Sequence, residues 1–295
     1  MFLRLLPALF AGLLLAFQEA PSVPKADTDD KPVEWVCPMD RDIRMKGPGK
    51  CPRCGMTLVP GIPGFFEYAT RIRTKPKKIV PGVSTAMTFE IINPATHKRV
   101  VDYEIVHEKL FHLFLISEDL RFFTHQHPVY QKSGEFTFEW KFPEPGMYRV
   151  LSDYYPQGGT PQLSTNTLFV AGGPATMQNP PNLKVDLSPQ TSENLTATLT
   201  LDPPEPIAGF KTLMYFDLNP GDGLEKYIGA WGHMLAASED LVDLIHNHPF
   251  IADGGPKVQF NMIFPRPGIY RVWVQFQRKG VVNTVAFNVP VVELK

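Results

Sequence analysis

The chain has 295 residues, enough for two β-domains with additional segments, and a formal net charge of −1 that gives no hint of nucleic acid or an anionic membrane as partner. Its 30 prolines and 21 phenylalanines, set among short alternating runs, predict many strands and few helices. An all-β chain is therefore expected.

In chain order, residues 1–20 place a single positive residue, Arg4, before the apolar run Leu5 to Phe17. That run has the size of a signal-peptide core and is short for a membrane span. Export to the periplasm or out of the cell is expected, with a membrane link only if the segment stays uncleaved. Residues 21–34, with Pro21, Pro24, Asp27, Asp29 and Asp30, have the composition of a disordered spacer.

All three cysteines fall between residues 35 and 60: Cys37 in Cys37-Pro38-Met39-Asp40, then Cys51 and Cys54 in Cys51-Pro52-Arg53-Cys54-Gly55-Met56. Cys-Pro-x-Cys-Gly makes a tight knuckle in which two sulfurs face one ion, Pro52 stiffening the turn and Gly55 permitting positive φ. Cys37 supplies a third thiolate. Met39, Met45 and Met56 add soft thioethers, a combination that suits Cu(I) as well as Zn²⁺. The alternative is a Cys51–Cys54 disulfide that leaves Cys37 over. An odd cysteine count and a segment too short to bury its own core favour the metal.

Cys37-Pro38-Met39 followed by Pro48-Gly49-Lys50-Cys51-Pro52-Arg53-Cys54-Gly55-Met56-Thr57-Leu58 resembles the small heavy-metal-binding domain of bacterial copper, silver and zinc efflux proteins. The resemblance covers a small fraction of the chain. It implies Cys37, Cys51 and Cys54 as ligands. A histidine and a proline usually follow Cys-Pro-Met in that family, whereas Asp40 and Arg41 stand here, so Asp40 becomes the fourth-ligand candidate. It is a hard donor, acceptable to Zn²⁺ and poor for Cu(I).

A linker around Pro60-Gly61-Ile62-Pro63-Gly64 leads into a basic strip, Arg71, Arg73, Lys75, Lys77 and Lys78, expected to be a solvated edge strand. Two repeats follow, at about 79–173 and 182–295. In the first, Val83 to Ile92, Val100 to Val106, a hairpin, Gly134 to Trp140, Met147 to Val150 and Thr165 to Val170 are predicted strands. In the second, Thr196 to Leu201, Thr212 to Leu218, a hairpin, Val258 to Ile263, Ile269 to Val272 and Val281 to Val292 repeat the order. Both carry Phe-Pro-x-Pro-Gly-x-Tyr-Arg-Val, from Phe142 and from Phe264, where proline and glycine fix a corner and tyrosine pins the next strand. Two immunoglobulin-like or cupredoxin-like β-sandwiches are expected.

The hairpins are the informative part. His112, His125 and His127 recur as His233, His246 and His248, each triad spanning a Ser-Glu-Asp-Leu turn. Were the turns centred on Glu118-Asp119 and Glu239-Asp240, His112 would face His125 and His233 would face His246. His127 and His248, two residues further on, would share that sheet face. Three converging imidazoles suit Zn²⁺ or copper and leave one coordination position open. Structural histidines at a sheet end are the alternative. His107 is expected at the surface, an auxiliary ligand being its alternative role, Met234 on the opposite face from His233, and 153–159 in a loop near the histidines. The repeats also resemble uncharacterised exported bacterial domains that accompany the heavy-metal module, a resemblance that brings no activity.

The expected function is an exported copper- or zinc-binding buffer, chaperone or sensor, with metal ions and other metal-efflux components as partners. No nucleic acid is expected, and no residue is assigned a catalytic role. One alternative is a scaffold or adhesion protein whose histidines brace hairpins. A zinc hydrolase or hydratase is another, since a three-His zinc site also acidifies bound water.

Overall fold

The computed structural model describes residues 34–38, 43–61, 66–173 and 181–295. The predicted signal peptide and almost all of the spacer lie outside these residues, as do Met39 and Asp40. The described chain is built from strands.

The N-terminal module pairs β1 (Glu34–Val36) with β2 (Arg44–Met45) and β3 (Val59–Gly61) in the order β2-β1-β3. In the first repeat β4 (Ala69–Lys75), β5 (Ser84–Ile92), β6 (Tyr103–Glu104), β7 (Phe111–Ser117), β8 (Phe123–Gln126), β9 (Val129–Tyr130), β10 (Phe136–Lys141), β11 (Gly146–Pro156) and β12 (Gln162–Val170) follow. They form two sheets, β4-β5-β10-β9 and β12-β11-β7-β8, with β6 on the far end of β11. The second repeat has β13 (Gln190–Thr191), β14 (Thr196–Asp202), β15 (Lys211–Asn219), β16 (Leu224–Glu225), β17 (His233–Ser238), β18 (Leu244–Asn247), β19 (Lys257–Ile263), β20 (Gly268–Arg278) and β21 (Val281–Val291). Its sheets run β13-β14-β15-β19 and β16-β20-β17-β18, with β21 also on β20. Each repeat is a sandwich around its own core, Phe89, Phe111, Phe136 and Val150 in one, Phe216, Phe260, Val272 and Phe287 in the other.

The shared Phe-Pro-x-Pro-Gly corners behave as their chemistry requires. Gly146 and Gly268 adopt φ of 127° and 136°, a region that admits little else. The Tyr148 hydroxyl donates to the Glu144 carbonyl at 2.9 Å, and Tyr270 Oη lies 3.1 Å from the Arg266 carbonyl. Arg71, Arg73 and Lys75 of the basic strip lie on the edge strand β4, which belongs to the first sandwich, and Lys77 and Lys78 follow it.

Two expectations change. Val100 to Val106 gives only the two-residue β6, with Val101 and Ile105 exposed at 48% and 69%. The alternation breaks because the chain bends away: His107 and Glu108 take positive φ and close a turn between Val106 and Lys109. In the hairpins, Ser117 Oγ accepts from the Phe122 N–H and donates to Asp119 Oδ1, while Leu120 takes φ of 58°. The loop is thus longer than a tight turn, and Leu113 pairs with Gln126 and Phe114 with His125. Continuing that register sets His112 opposite His127, two residues from the expected pairing. Met234 pairs with Asn247 in the same way. Since side-chain direction repeats every two residues, each triad keeps its common face.

That face is covered by the other repeat. β7 and β17 are buried along their whole length, so their unbroken apolar runs have two destinations. Phe111, Leu113 and Leu115 enter the first sandwich core, and Met234 and Ala236 enter the second. Phe114, Ile116, Leu120 and Leu151 pack instead against Leu235, Ala237, Leu241 and Trp273. Phe123 stacks on Trp273 with ring centroids 5.0 Å apart. Trp273→Ala should therefore cost about 3–5 kcal/mol in denaturant unfolding, as expected for a buried aromatic whose cavity does not refill.

Candidate metal centres

The N-terminal module holds its cysteines in two loops. Cys37 N–H donates to the Ile43 carbonyl at 3.1 Å, Cys51 N–H to Met56 at 2.7 Å and Gly55 N–H to Cys51 at 2.9 Å. Gly55 has φ of 82°, which is the knuckle geometry expected of Cys-Pro-x-Cys-Gly. Cys37, Cys51 and Cys54 are buried, with sulfurs within 4.8 Å of one another. None is in a disulfide, and the Cys37 and Cys54 sulfurs stand 3.3 Å apart. Two thiolates on one tetrahedral ion at about 2.3 Å would be about 3.8 Å apart, so the cluster fits an ion with little adjustment. Hydrogen bonds from Cys37 and Cys54 lower the Cys51 pKa from its ordinary 9.0 against the opposing effect of burial. Met56 lines the same small core with Leu58, whereas Met45 is exposed.

The module sits on both sandwiches. Gly55 lies so close to the Phe250 ring that a Cβ there would fall 1.4 Å from it, and the Tyr155 hydroxyl donates to the Pro60 carbonyl. Phe250 is two residues beyond His248.

The histidines form one cluster at the junction of the repeats rather than two separate patches. His112, His125, His233, His246 and His248 are each at most 4% exposed, and His127 is partly buried. The His125 and His233 ring centroids lie 5.2 Å apart and those of His112 and His246 5.6 Å. Among the described residues, the imidazole trios with donor nitrogens within 4.8 Å are His112, His125 and His233, then His233, His246 and His248. His127 Nε2 lies 3.3 Å from His112 Nδ1. His107, expected at the surface, is half-buried, its ring stacked on His248 at 3.7 Å. Met234 points into the second core, as expected.

The tautomers follow from the partners. His112 Nε2 lies 3.0 Å from the Val106 carbonyl and His233 Nε2 2.8 Å from that of Tyr227. A carbonyl only accepts, so both Nε2 atoms carry the proton and both Nδ1 atoms are bare. His246 Nδ1 lies 2.6 Å from Asp153 Oδ2, and His125 Nδ1 3.0 Å from Gln275 Oε1. Gln275 Nε2 donates to Thr284 Oγ1, which fixes its amide orientation. His125 is therefore bare at Nε2, and the Asp153 contact holds the His246 proton at Nδ1, leaving Nε2 as the nitrogen turned toward the other histidines. The His112 Nδ1 and His125 Nε2 lone pairs then meet at 3.1 Å, which is repulsive unless a cation lies between them. Two imidazoles on one tetrahedral ion at about 2.0–2.1 Å would sit about 3.3 Å apart. His248 Nε2 stands 2.9 Å from His233 Nδ1, while His246 Nε2 and His248 Nδ1 are buried without a hydrogen-bond partner among the described residues.

Asp153 and Gln275 were not singled out as functional by the sequence, which placed 153–159 in a loop. Asp153 lies on β11 directly across from His112, and Gln275 lies on β20 across from His233. Their equivalent places in the two repeats were the available signal.

Tandem β-sandwiches with thiolate and imidazole clusters define the class of the chain. The chain belongs to the family described as "Domain of unknown function (DUF8832)", matched at residues 67–170 and 190–293. Residues 34–60 match the "Heavy metal binding domain". No curated protein matches the chain significantly. Among solved structures it is similar to the Escherichia coli adhesin FdeC, with 14% identity over 79% of this chain and 68% of that one and a TM-score of 0.28. It is also similar to a carbohydrate-binding module of the β-sandwich superfamily, with 12% identity over 77% and 99% of the chains and a TM-score of 0.23.

Burial favours the neutral form of His107, His112, His125, His127, His233 and His248. His112 and His107 are pushed down to about 4 and His127 to about 3, and His125, His233 and His248 lie well below the ordinary 6.5, each chiefly by desolvation. The unfolded chain therefore takes up protons first as pH falls below about 6.5. The metal-free protein should lose stability between pH 6.5 and 4, by on the order of 1.4 kcal/mol per pH unit for each such histidine, in denaturant titrations at successive pH values.

Proposed function

We propose that this is an exported copper- or zinc-handling protein, acting in the periplasm or outside the cell as a buffer, chaperone or sensor that serves metal-efflux components. The thiolate module takes a soft ion, and the histidines of the hairpins take borderline ions such as Cu²⁺ or Zn²⁺. Convergence of three buried cysteine sulfurs in a heavy metal binding domain is the observation that carries this reading. Bare imidazole nitrogens turned inward at the repeat junction support its second half.

Two donor sets of different softness suit a protein that meets a metal in more than one oxidation state. Thiolates prefer Cu(I) and imidazoles accept Cu(II). With Asp40 as fourth ligand, the module would lean to Zn²⁺.

Metal content by mass spectrometry on the mature protein, purified anaerobically without chelator or histidine tag and titrated with Cu(I), Cu(II) and Zn(II), tests this. Cys51→Ser should remove one ion, and joint replacement of His125 and His246 by alanine should remove the rest with the sandwiches still folded. Unchanged metal content with lost stability would instead make the protein a scaffold with bracing histidines.

A further inference from the structure

We infer that the six histidines form a single two-ion centre shared by the repeats, filled in a fixed order. This rests on the imidazole half of the proposed function and goes beyond it, because separate hairpins would give two independent and equivalent sites.

Each repeat orients the ligands of the other. His125 of the first repeat is held by Gln275 of the second, and His246 of the second by Asp153 of the first. Neither hairpin alone contains the acceptor that fixes its second histidine. The donors also interleave: His233 lies within ligand distance of His112 and His125 as well as of His246 and His248. His112 Nδ1 faces His125 Nε2 at 3.1 Å, and His233, His246 and His248 hold ligand atoms within 4.8 Å of one another, with His127 Nε2 3.3 Å from His112 Nδ1 and His248 Nε2 2.9 Å from His233 Nδ1. One divalent ion on His112 and His125 and a second on His233 and His246, with His127 able to approach the first from beside His112 and His248 the second from beside His233, would engage the inward nitrogens named here other than His248 Nδ1. A three-His set leaves each ion a position for a small ligand.

The order comes from one difference between the repeats. Asp153 gives His246 an anionic partner and Gln275 gives His125 a neutral one, and a carboxylate on the far nitrogen makes an imidazole the better ligand. The His246 side fills first. Because oriented ligands come from both repeats, loading also ties the sandwiches together.

The test uses the full chain with its thiolate module first filled by one equivalent of Cu(I), then titrated with Cu²⁺ and followed by electron paramagnetic resonance. The first equivalent should give an isolated signal, and the second should broaden it and bring up the half-field line of an interacting pair. Asp153→Asn should weaken the first equivalent about 10–100-fold. Gln275→Glu, which removes no ligand and no packing volume, should strengthen the second. Two equivalents giving two isolated signals would overturn the shared centre while leaving metal binding by imidazole intact, as would saturation at one ion. No bound Cu²⁺ at all would overturn both.

Discussion

Everything at the junction depends on one constraint: β7 and β17 must bury both of their faces. A sandwich needs only one apolar face per sheet, so the second face of each strand requires a partner outside its own sandwich. Each repeat is that partner for the other. Apolar residues at the turn end, Ile116 and Leu120 against Ala237 and Leu241, exclude water along the seam, and the histidines at the opposite end of the same strands are closed over by it. Burial favours neutral His112 and His125, neutrality leaves His112 Nδ1 and His125 Nε2 bare, and bare nitrogens facing one another call for a cation.

Turn geometry sets where those nitrogens point. The left-handed His107 and Glu108 turn in the first repeat, and Ile228 with Gly229 in the second, present the carbonyls of Val106 and Tyr227 to the first histidine of each triad. A residue that looked like the end of a strand, Val106, thus assigns the tautomer of His112. The expected surface residue His107 is carried by the same turn onto the ring of His248.

Much of this was legible in the sequence and some was not, for identifiable reasons. The duplication showed in the repeated His spacing and in the Phe-Pro-x-Pro-Gly corner, both local patterns. Strand alternation placed most elements. It failed at Val100 to Val106, where Val101 and Ile105 alternate with polar residues yet face solvent, because the chain turns away at His107 and Glu108 after only two paired residues. Hairpin register slipped by two because Ser117 closes the loop through its side chain, which a count of turn residues does not reveal. The shared cluster was harder, since it depends on packing between residues more than a hundred positions apart. Even so, Leu113-Phe114-Leu115-Ile116 has no polar residue to leave in water, and an unbroken apolar run in an antiparallel sheet is a sign that both faces are covered.

The contacts across the seam are reciprocal: what His125 does with Gln275, its counterpart His246 does with the counterpart of Gln275. Two copies of a single-repeat ancestor, related by a two-fold axis, would make the same surface, and in such a dimer every residue appears twice. Joining the copies in one chain lifts that restriction. Asp153 and Gln275 have used the freedom, becoming different residues at what would have been a single position, and the centre can hold a first and a second site where a symmetric dimer could hold only two of the same.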